Sequence, residues 1–154
     1  MIELEQKIPE FQLPATQAGT LSNKDLEGKY AVIYFYPKDN TPGCTTETND
    51  FCELYQEFKN LNCEIVGFNH NSMKLHEKFE QKLEIPFPLV SDEEQDAVEA
   101  FGVWQLKKFM GKEFMGIVRT TFVVNPQGTV IKRYDKVKVK GHAAQVLEDL
   151  KTLV

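Results

Sequence analysis

Ala31-Val32-Ile33-Tyr34-Phe35-Tyr36 runs directly into Pro37-Lys38-Asp39-Asn40-Thr41-Pro42-Gly43-Cys44-Thr45. An apolar run of β-branched and aromatic residues that ends in a Pro/Gly-containing stretch reads as a buried strand. From Cys44 the period changes. Phe51, Leu54, Tyr55, Phe58 and Leu61 recur at three and four residues, which lays one helix face on a sheet. A strand therefore hands over to a helix across the loop Pro37 to Gly43, and a thiol sits at the handover. A helix N-terminus offers unpaired N–H groups and the positive end of the macrodipole, and both favour a thiolate over a thiol. The spacing Pro-x-x-x-Thr-x-x-Cys adds the Thr41 hydroxyl, placed to hydrogen-bond a substrate that approaches the sulfur.

Working outward, Cys63 to Phe68 reads as the next strand, which completes a βαβ unit. Ser72 caps a helix through Leu83 with Leu75, Phe79 and Leu83 on its inner face. Pro86 and Pro88 punctuate a connection, and Asp92 to Phe101 makes another short helix. Thr120 to Asn125 and Thr129 to Tyr134 flank Pro126-Gln127-Gly128 and read as a hairpin. A last helix, about Ala143 to Leu153, offers Val146, Leu147, Leu150 and Leu153 to the core. Upstream, Ile8 to Pro14 alternates apolar and polar residues between prolines, as an edge strand or extended arm does. Ser22 caps a short turn, Asn23 to Glu27, that Gly28 stops. Gln105 to Ile117 has no decisive period and reads as a loop or insertion. Strand and helix alternate before a closing hairpin and helix, so the expectation is an α/β protein: one domain over 1–154, a mixed central sheet, helices on both faces.

Bulk properties narrow the function. The 18 basic and 23 acidic residues give a net charge of -5, and no dense Lys/Arg block interrupts the chain. Nucleic acid and anionic membranes are poor partners for such a surface. Met1 to Gln6 lacks a basic segment followed by an apolar core, and no apolar run is long enough to span a bilayer, so a cytoplasmic location is expected. The three cysteines form no Cys-x-x-Cys pair, which argues against a disulfide framework and against a zinc knuckle.

The stretch Tyr36-Pro-Lys-Asp-Asn-Thr-Pro-Gly-Cys-Thr45 resembles the peroxiredoxins, and more closely their bacterioferritin comigratory protein or peroxiredoxin Q branch. The resemblance extends through Phe101-Gly102-Val103-Trp104, Met110-Gly111-Lys112, Gly116-Ile117, Arg119-Thr120-Thr121-Phe122 and Val139-Lys140-Gly141-His142. It implies a thioredoxin-like fold, a thiol peroxidase acting on hydrogen peroxide and organic hydroperoxides in antioxidant defence, no bound cofactor or metal, and a monomer or weak homodimer. The absence of an obvious exposed apolar stripe is in keeping with that last point.

A thiolate that attacks a hydroperoxide moves charge from sulfur to the leaving oxygen, so the site must stabilise the thiolate and donate to oxygens that become more negative. Cys44 is the candidate nucleophile. Thr41 and the Gly43 and Cys44 N–H groups are candidates to hold the peroxide, Pro37 to start the loop and Pro42 to shield the sulfur. The resemblance adds Arg119 as the activating cation and Glu47 as the residue that orients it.

The sulfenic acid left on Cys44 must be reduced. Many branch members carry a second cysteine five residues on, where this chain has Asn49. Cys52 lies eight residues on, about 12 Å along an intact helix, and Cys63 at a strand start suits packing. An external thiol, from a thioredoxin, a glutaredoxin or a low-molecular-weight thiol, is the expected reductant. His70, His76 and His142 share no metal-ligand spacing, and a solvated surface role is expected of them. Asn69-His70-Asn71 departs from the Ser-x-Asp common in the branch. Trp104, Phe109 and Phe114 are candidates for a pocket mouth or for ordinary packing. Two other readings of the same fold are a disulfide oxidoreductase, which wants a second cysteine within Thr45 to Glu47, and a non-catalytic redox sensor or holdase.

Overall fold

The apolar run that decides the fold is the centre of the sheet: Ala31, Val32, Ile33, Tyr34 and Phe35 have no solvent exposure. The computed structural model describes all of residues 1–154. In chain order it contains β1 (Gln12–Ala15), β2 (Gly19–Ser22), a 3-10 turn (Asn23–Leu26), β3 (Tyr30–Phe35), α1 (Pro42–Asn60), β4 (Cys63–Asn69), α2 (Met73–Leu83) and β5 (Leu89–Ser91). Then follow α3 (Asp96–Phe101), β6 (Trp104–Phe109), β7 (Lys112–Ile117), β8 (Thr120–Val124), β9 (Val130–Tyr134) and α4 (His142–Leu153). Seven strands form one sheet in the order β2-β1-β5-β4-β3-β8-β9. β3, β4 and β5 are parallel and linked by α1 and α2, whereas β1, β8 and β9 run antiparallel to their neighbours.

Alternation along β3 separates two cores. Val32 and Tyr34 face Phe51 and Phe58 of α1, Phe79 of α2 and Val146, Leu147 and Leu150 of α4. Ile33 and Phe35 face the opposite layer, built from α3 (Ala97, Val98, Phe101), Leu26 and Phe11. The sheet is thus covered by helices on both faces, as the order of elements requires.

Several boundaries differ from the sequence reading, each for a local reason. The opening segment is an extended arm, with Lys7 bridged to Thr129, and its strand starts only at Gln12. β1 lies inside the sheet, and β2 takes the edge. α1 starts at Pro42, two residues before Cys44, because proline presets the helical φ at a position whose N–H has no partner to lose. α3 starts at Asp96, since Asp92 is spent on a turn in which its carboxylate accepts from the Val98 N–H at 2.8 Å.

Phe79 and Leu83 of α2 pack inward as expected, but the first turn differs. Leu75 is exposed, while His76 is fully buried beside Phe79. Leu153, in the last turn of α4, is also exposed. Gln105 to Ile117 is no loop: β6 and β7 form a separate antiparallel hairpin, closed by Met110 and Gly111, both at positive φ. Two central residues of that conformation suit the right-handed twist of the flanking strands. Leu106, Phe109, Met110, Phe114 and Met115 are exposed on this hairpin, Leu106 and Met115 on one face and Phe109 and Phe114 on the other, so the surface does carry exposed apolar side chains that the sequence does not signal.

Candidate active site

The parallel β3-α1 connection leaves Cys44 in the first turn of α1, beyond the carboxyl end of β3, where open α/β sheets gather their sites. Thr41 is the residue preceding the helix, and its hydroxyl donates to the Lys38 carbonyl at 2.9 Å. The hydroxyl hydrogen is therefore committed, and the oxygen's remaining capacity is as an acceptor. The first α1 amide to find an intrahelical carbonyl is that of Thr45, bonded to Thr41, so the Gly43 and Cys44 N–H groups precede the ladder. Pro42 and Gly43 are exposed, Pro37 is half-buried, and Cys44 is buried at 2 % exposure.

Arg119 reaches this turn because β8 runs antiparallel to β3, with Phe35 opposite Thr120. That register sets Arg119 beside the end of β3. Its Nη1 donates to Glu47 Oε1 at 2.6 Å and its Nη2 lies 3.5 Å from Cys44 Sγ. A Cβ built on Gly43 would stand 3.3 Å from the same Nη2, so the backbone and the guanidinium are closely apposed there. Glu47 is 1 % exposed and its Oε2 has no hydrogen-bond partner. Burial pushes its carboxyl up to about 7, although the Arg119 charge and hydrogen bond act in the opposite direction. Lys107, on the hairpin, donates to the Ile117 carbonyl at 2.9 Å; burial, with the Arg119 charge, holds its ammonium below the usual range.

The structure therefore brings Thr41, Gly43, Cys44, Glu47 and Arg119 together. It keeps the other thiols apart: none of the three cysteines is in a disulfide, and Cys52 and Cys63 pack against the core that α1 shares with the sheet. Burial, then the charges of Glu53 and Glu64 respectively, pushes both thiols up to about 12.

None of the histidines is a solvated surface group. His76 is fully buried, with Nδ1 2.6 Å from Asp39 Oδ2 and Nε2 2.9 Å from the Val90 carbonyl. His142 is 7 % exposed and its Nε2 lies 2.8 Å from Thr121 Oγ1; burial, then the Arg119 charge, brings it down to about 4. The His70 ring meets the Trp104 ring edge-on at 5.2 Å. Phe109 and Phe114, by contrast, are exposed and serve neither packing nor an enclosed pocket. No group of three or more His, Cys, Asp or Glu side chains is arranged to hold a metal.

Sequence reasoning passed over one set of residues near the site. Asp39, in the loop before Cys44, is buried and accepts at Oδ1 from the Tyr36 hydroxyl at 2.7 Å and from Asn69 Nδ2 at 3.1 Å. Its own N–H donates to Asn71 Oδ1 at 2.8 Å. The departure Asn69-His70-Asn71 thus supplies two amides to this loop. A carboxylate in a loop between turn formers carries no sequence signal for burial.

The AhpC/TSA family matches residues 4–133. The chain is 47% identical to peroxiredoxin Bcp of Bacillus subtilis over 99% of its own length and 97% of that protein. It is 41% identical to a putative peroxiredoxin bcp of Helicobacter pylori, covering 97% of this chain and 98% of the other. Among solved structures, a cysteine mutant of Xylella fastidiosa PrxQ superposes with a TM-score of 0.93 at 33% identity over 99% of this chain and 97% of that one. Xanthomonas campestris bacterioferritin comigratory protein, studied for alkyl peroxide reduction, superposes with a TM-score of 0.87 at 42% identity over 92% and 90% of the two chains.

The chain is a thiol-dependent peroxidase on a thioredoxin-like fold. The chain belongs to the AhpC/TSA family and, within it, to the peroxiredoxins of the Bcp or peroxiredoxin Q branch. The disulfide-oxidoreductase reading and the non-catalytic redox-sensor or holdase reading are not favoured. No helix is long and apolar enough to cross a membrane.

Proposed function

We propose that Cys44 is the peroxidatic nucleophile, activated by Arg119, and that an external thiol completes the cycle. The observation that carries this is the guanidinium of Arg119, anchored on Glu47 at 2.6 Å and set 3.5 Å from Sγ. The Cys44 thiolate attacks the terminal oxygen of a hydroperoxide. An S–O bond forms, the O–O bond breaks, and the electron pair leaves with the other oxygen, which takes up a proton as water or an alcohol. Thr41 Oγ accepts from the peroxide hydroxyl, while Arg119 Nη2 and the free N–H groups of Gly43 and Cys44 donate to the oxygens that gain charge. Pro37 fixes the start of the loop and Pro42 shields the sulfur. Glu47 holds the guanidinium in orientation.

The sulfenic acid then meets a thiol from outside. That thiol attacks Sγ, water leaves, and a second thiol releases Cys44 with formation of a disulfide on the reductant. Cys52 and Cys63 are poor internal resolvers because both are held as thiols, and the thiolate is the nucleophile. A thioredoxin, a glutaredoxin or a low-molecular-weight thiol fits the role. Hydrogen peroxide and organic hydroperoxides are the substrates, in antioxidant defence. Free thiols favour a reducing compartment such as the cytoplasm. The working unit is a monomer or weak homodimer, with the exposed β6-β7 hairpin as the face available for self-association.

Stopped-flow oxidation of the reduced protein tests the assignment. Cys44→Ser is expected to react at less than about a hundredth of the parent rate, a barrier deficit of roughly 2.7 kcal/mol, while folding is kept. Thr41→Val, which lacks the hydroxyl, is expected to lose about tenfold or more. A Cys44→Ser protein that still turns over peroxide removes the nucleophile, and unchanged kinetics in Thr41→Val removes the hydroxyl from the site.

A further inference from the structure

The loop that carries Thr41 and leads into Cys44 has one buried side chain, Asp39, between Tyr36 and Cys44. Next to it Asn40 adopts a left-handed conformation, φ 61, so the loop turns sharply just before the site. Such a turn keeps one geometry only when the surroundings over-determine it. Two residues of α2 do so from the far side: Lys82 Nζ donates to Asn40 Oδ1 at 2.5 Å, and His76 Nδ1 lies 2.6 Å from Asp39 Oδ2.

The His76 contact has a defined proton arrangement. Nε2 faces the Val90 carbonyl at 2.9 Å, and a carbonyl only accepts, so Nε2 carries a hydrogen. Nδ1 faces a carboxylate oxygen, so a second hydrogen must lie between them. Both groups are out of solvent, with side-chain exposures of 0% and 3%. Losing either side chain leaves one buried polar atom of the other, Asp39 Oδ2 or His76 Nδ1, without a partner. His76 is thus a bridge between β5 and the loop.

We propose that His76, acting through Asp39, is a positioning residue for peroxide reduction: it clamps the loop to α2 and so fixes the Thr41 hydroxyl and the first turn of α1 against Cys44. The proposal rests on Cys44 being the peroxidatic nucleophile. The clamp touches neither sulfur nor peroxide. What matters is the hydrogen bond between the two side chains rather than their charge. An in-line attack is sensitive to displacements of about 1 Å, whereas alkylation by iodoacetamide needs the thiolate but neither the Thr41 acceptor nor an in-line O–O bond.

Three variants separate the two ends of the bridge. His76→Asn keeps an N–H near the Nδ1 position, and His76→Gln keeps one near Nε2 and loses the bond to Asp39. Asp39→Asn can donate its amide to Nδ1 while Nε2 still donates to Val90. The rate of peroxide oxidation and the rate of iodoacetamide alkylation at Cys44 are measured for each, with thermal unfolding alongside.

His76→Asn and Asp39→Asn are expected to stay within about threefold of the parent, and His76→Gln to fall at least about tenfold in peroxide rate with alkylation unchanged or faster. Should His76→Gln not fold, Asp39→Ala breaks the bond from the loop side and must show the same split. Peroxide rates at the parent level in His76→Gln, or in its substitute Asp39→Ala, overturn the clamp. So does a uniform loss in all variants that tracks thermal stability and extends to alkylation. Failure of the nucleophile assignment would be seen separately, as a parent Cys44 no faster with peroxide than free cysteine, and would overturn the clamp's role with it.

Discussion

Glu47 Oε1 lies 2.6 Å from Arg119 Nη1, and the second Nη of the same rigid fork is thereby aimed at Cys44 Sγ. A carboxylate one turn into α1 therefore sets the direction of a cation that stands just before β8. Arg119→Ala is expected to slow peroxide oxidation by at least about tenfold, because donors to the breaking O–O bond are lost. Arg119→Lys should recover only part, since an ammonium cannot hold Glu47 and face the sulfur with a planar fork. Stopped-flow rates decide it, and full activity in Arg119→Lys would show that charge alone suffices.

Gly43 offers a test that leaves every charged group in place. A Cβ there would stand 3.3 Å from Arg119 Nη2, closer than ordinary van der Waals contact, and the guanidinium must give by a few tenths of an ångström. Gly43→Ala is expected to unfold at nearly the parent temperature yet oxidise several-fold more slowly, on the order of 1 kcal/mol in barrier. Parent-like kinetics would mean that the guanidinium has more room than its contacts indicate.

Two buried groups oppose each other in the pH dependence of stability. The Glu47 carboxyl ionises near 4.5 when unfolded and near 7 in the folded protein, so its contribution is full at low pH and is lost as pH rises through about 7. His142 titrates near 6.5 unfolded and near 4 folded, so its contribution is full above about 6.5 and is lost as pH falls through about 4. Each swing is on the order of 3 kcal/mol at most. The parent should therefore show a shallow profile between these limits. Glu47→Gln should become more stable from about pH 4.5 to 6.5, and His142→Gln should become less stable over the same range. Urea midpoints measured across that window check the signs, and two variants with equal slopes would refute the assignment.

What the sequence made legible follows from where the information is local. Strand β3, helix α1 and the thiol in the first turn of α1 lie within thirty-odd residues, and periodicity with turn chemistry places them. Arg119 needed the resemblance, because its approach depends on the pairing of Phe35 with Thr120, a register that no local pattern specifies. The hairpin of β6 and β7 escaped because its exposed strands have no buried face to impose alternation. His76 was misread for the opposite reason: on a helix rich in Lys and Glu it sits on the inner row, and the partner that explains its burial is 37 residues away. Burial of a polar side chain is settled by what meets it across the fold.

The position of Asn49 leads to the last prediction. In an intact α1 it lies five residues, or about 7.5 Å of rise, from Cys44, whereas Cys52 is a further turn away and Cys63 lies on β4. Both existing thiols are held near 12, so neither should capture the Cys44 sulfenic acid quickly. One equivalent of peroxide should therefore give a sulfenic acid that dimedone traps, and excess peroxide should carry it to sulfinic acid. Asn49→Cys should divert the same intermediate into a disulfide, because modest unwinding of the first turns brings the two Cα atoms within the roughly 7 Å that a bridge requires. Intact-mass analysis distinguishes the outcomes. A parent protein that loses two hydrogens on oxidation, with Cys44 linked to Cys52 or Cys63 in one chain, would show that the helix opens far enough for the enzyme to resolve itself, and external resolution would have to be abandoned.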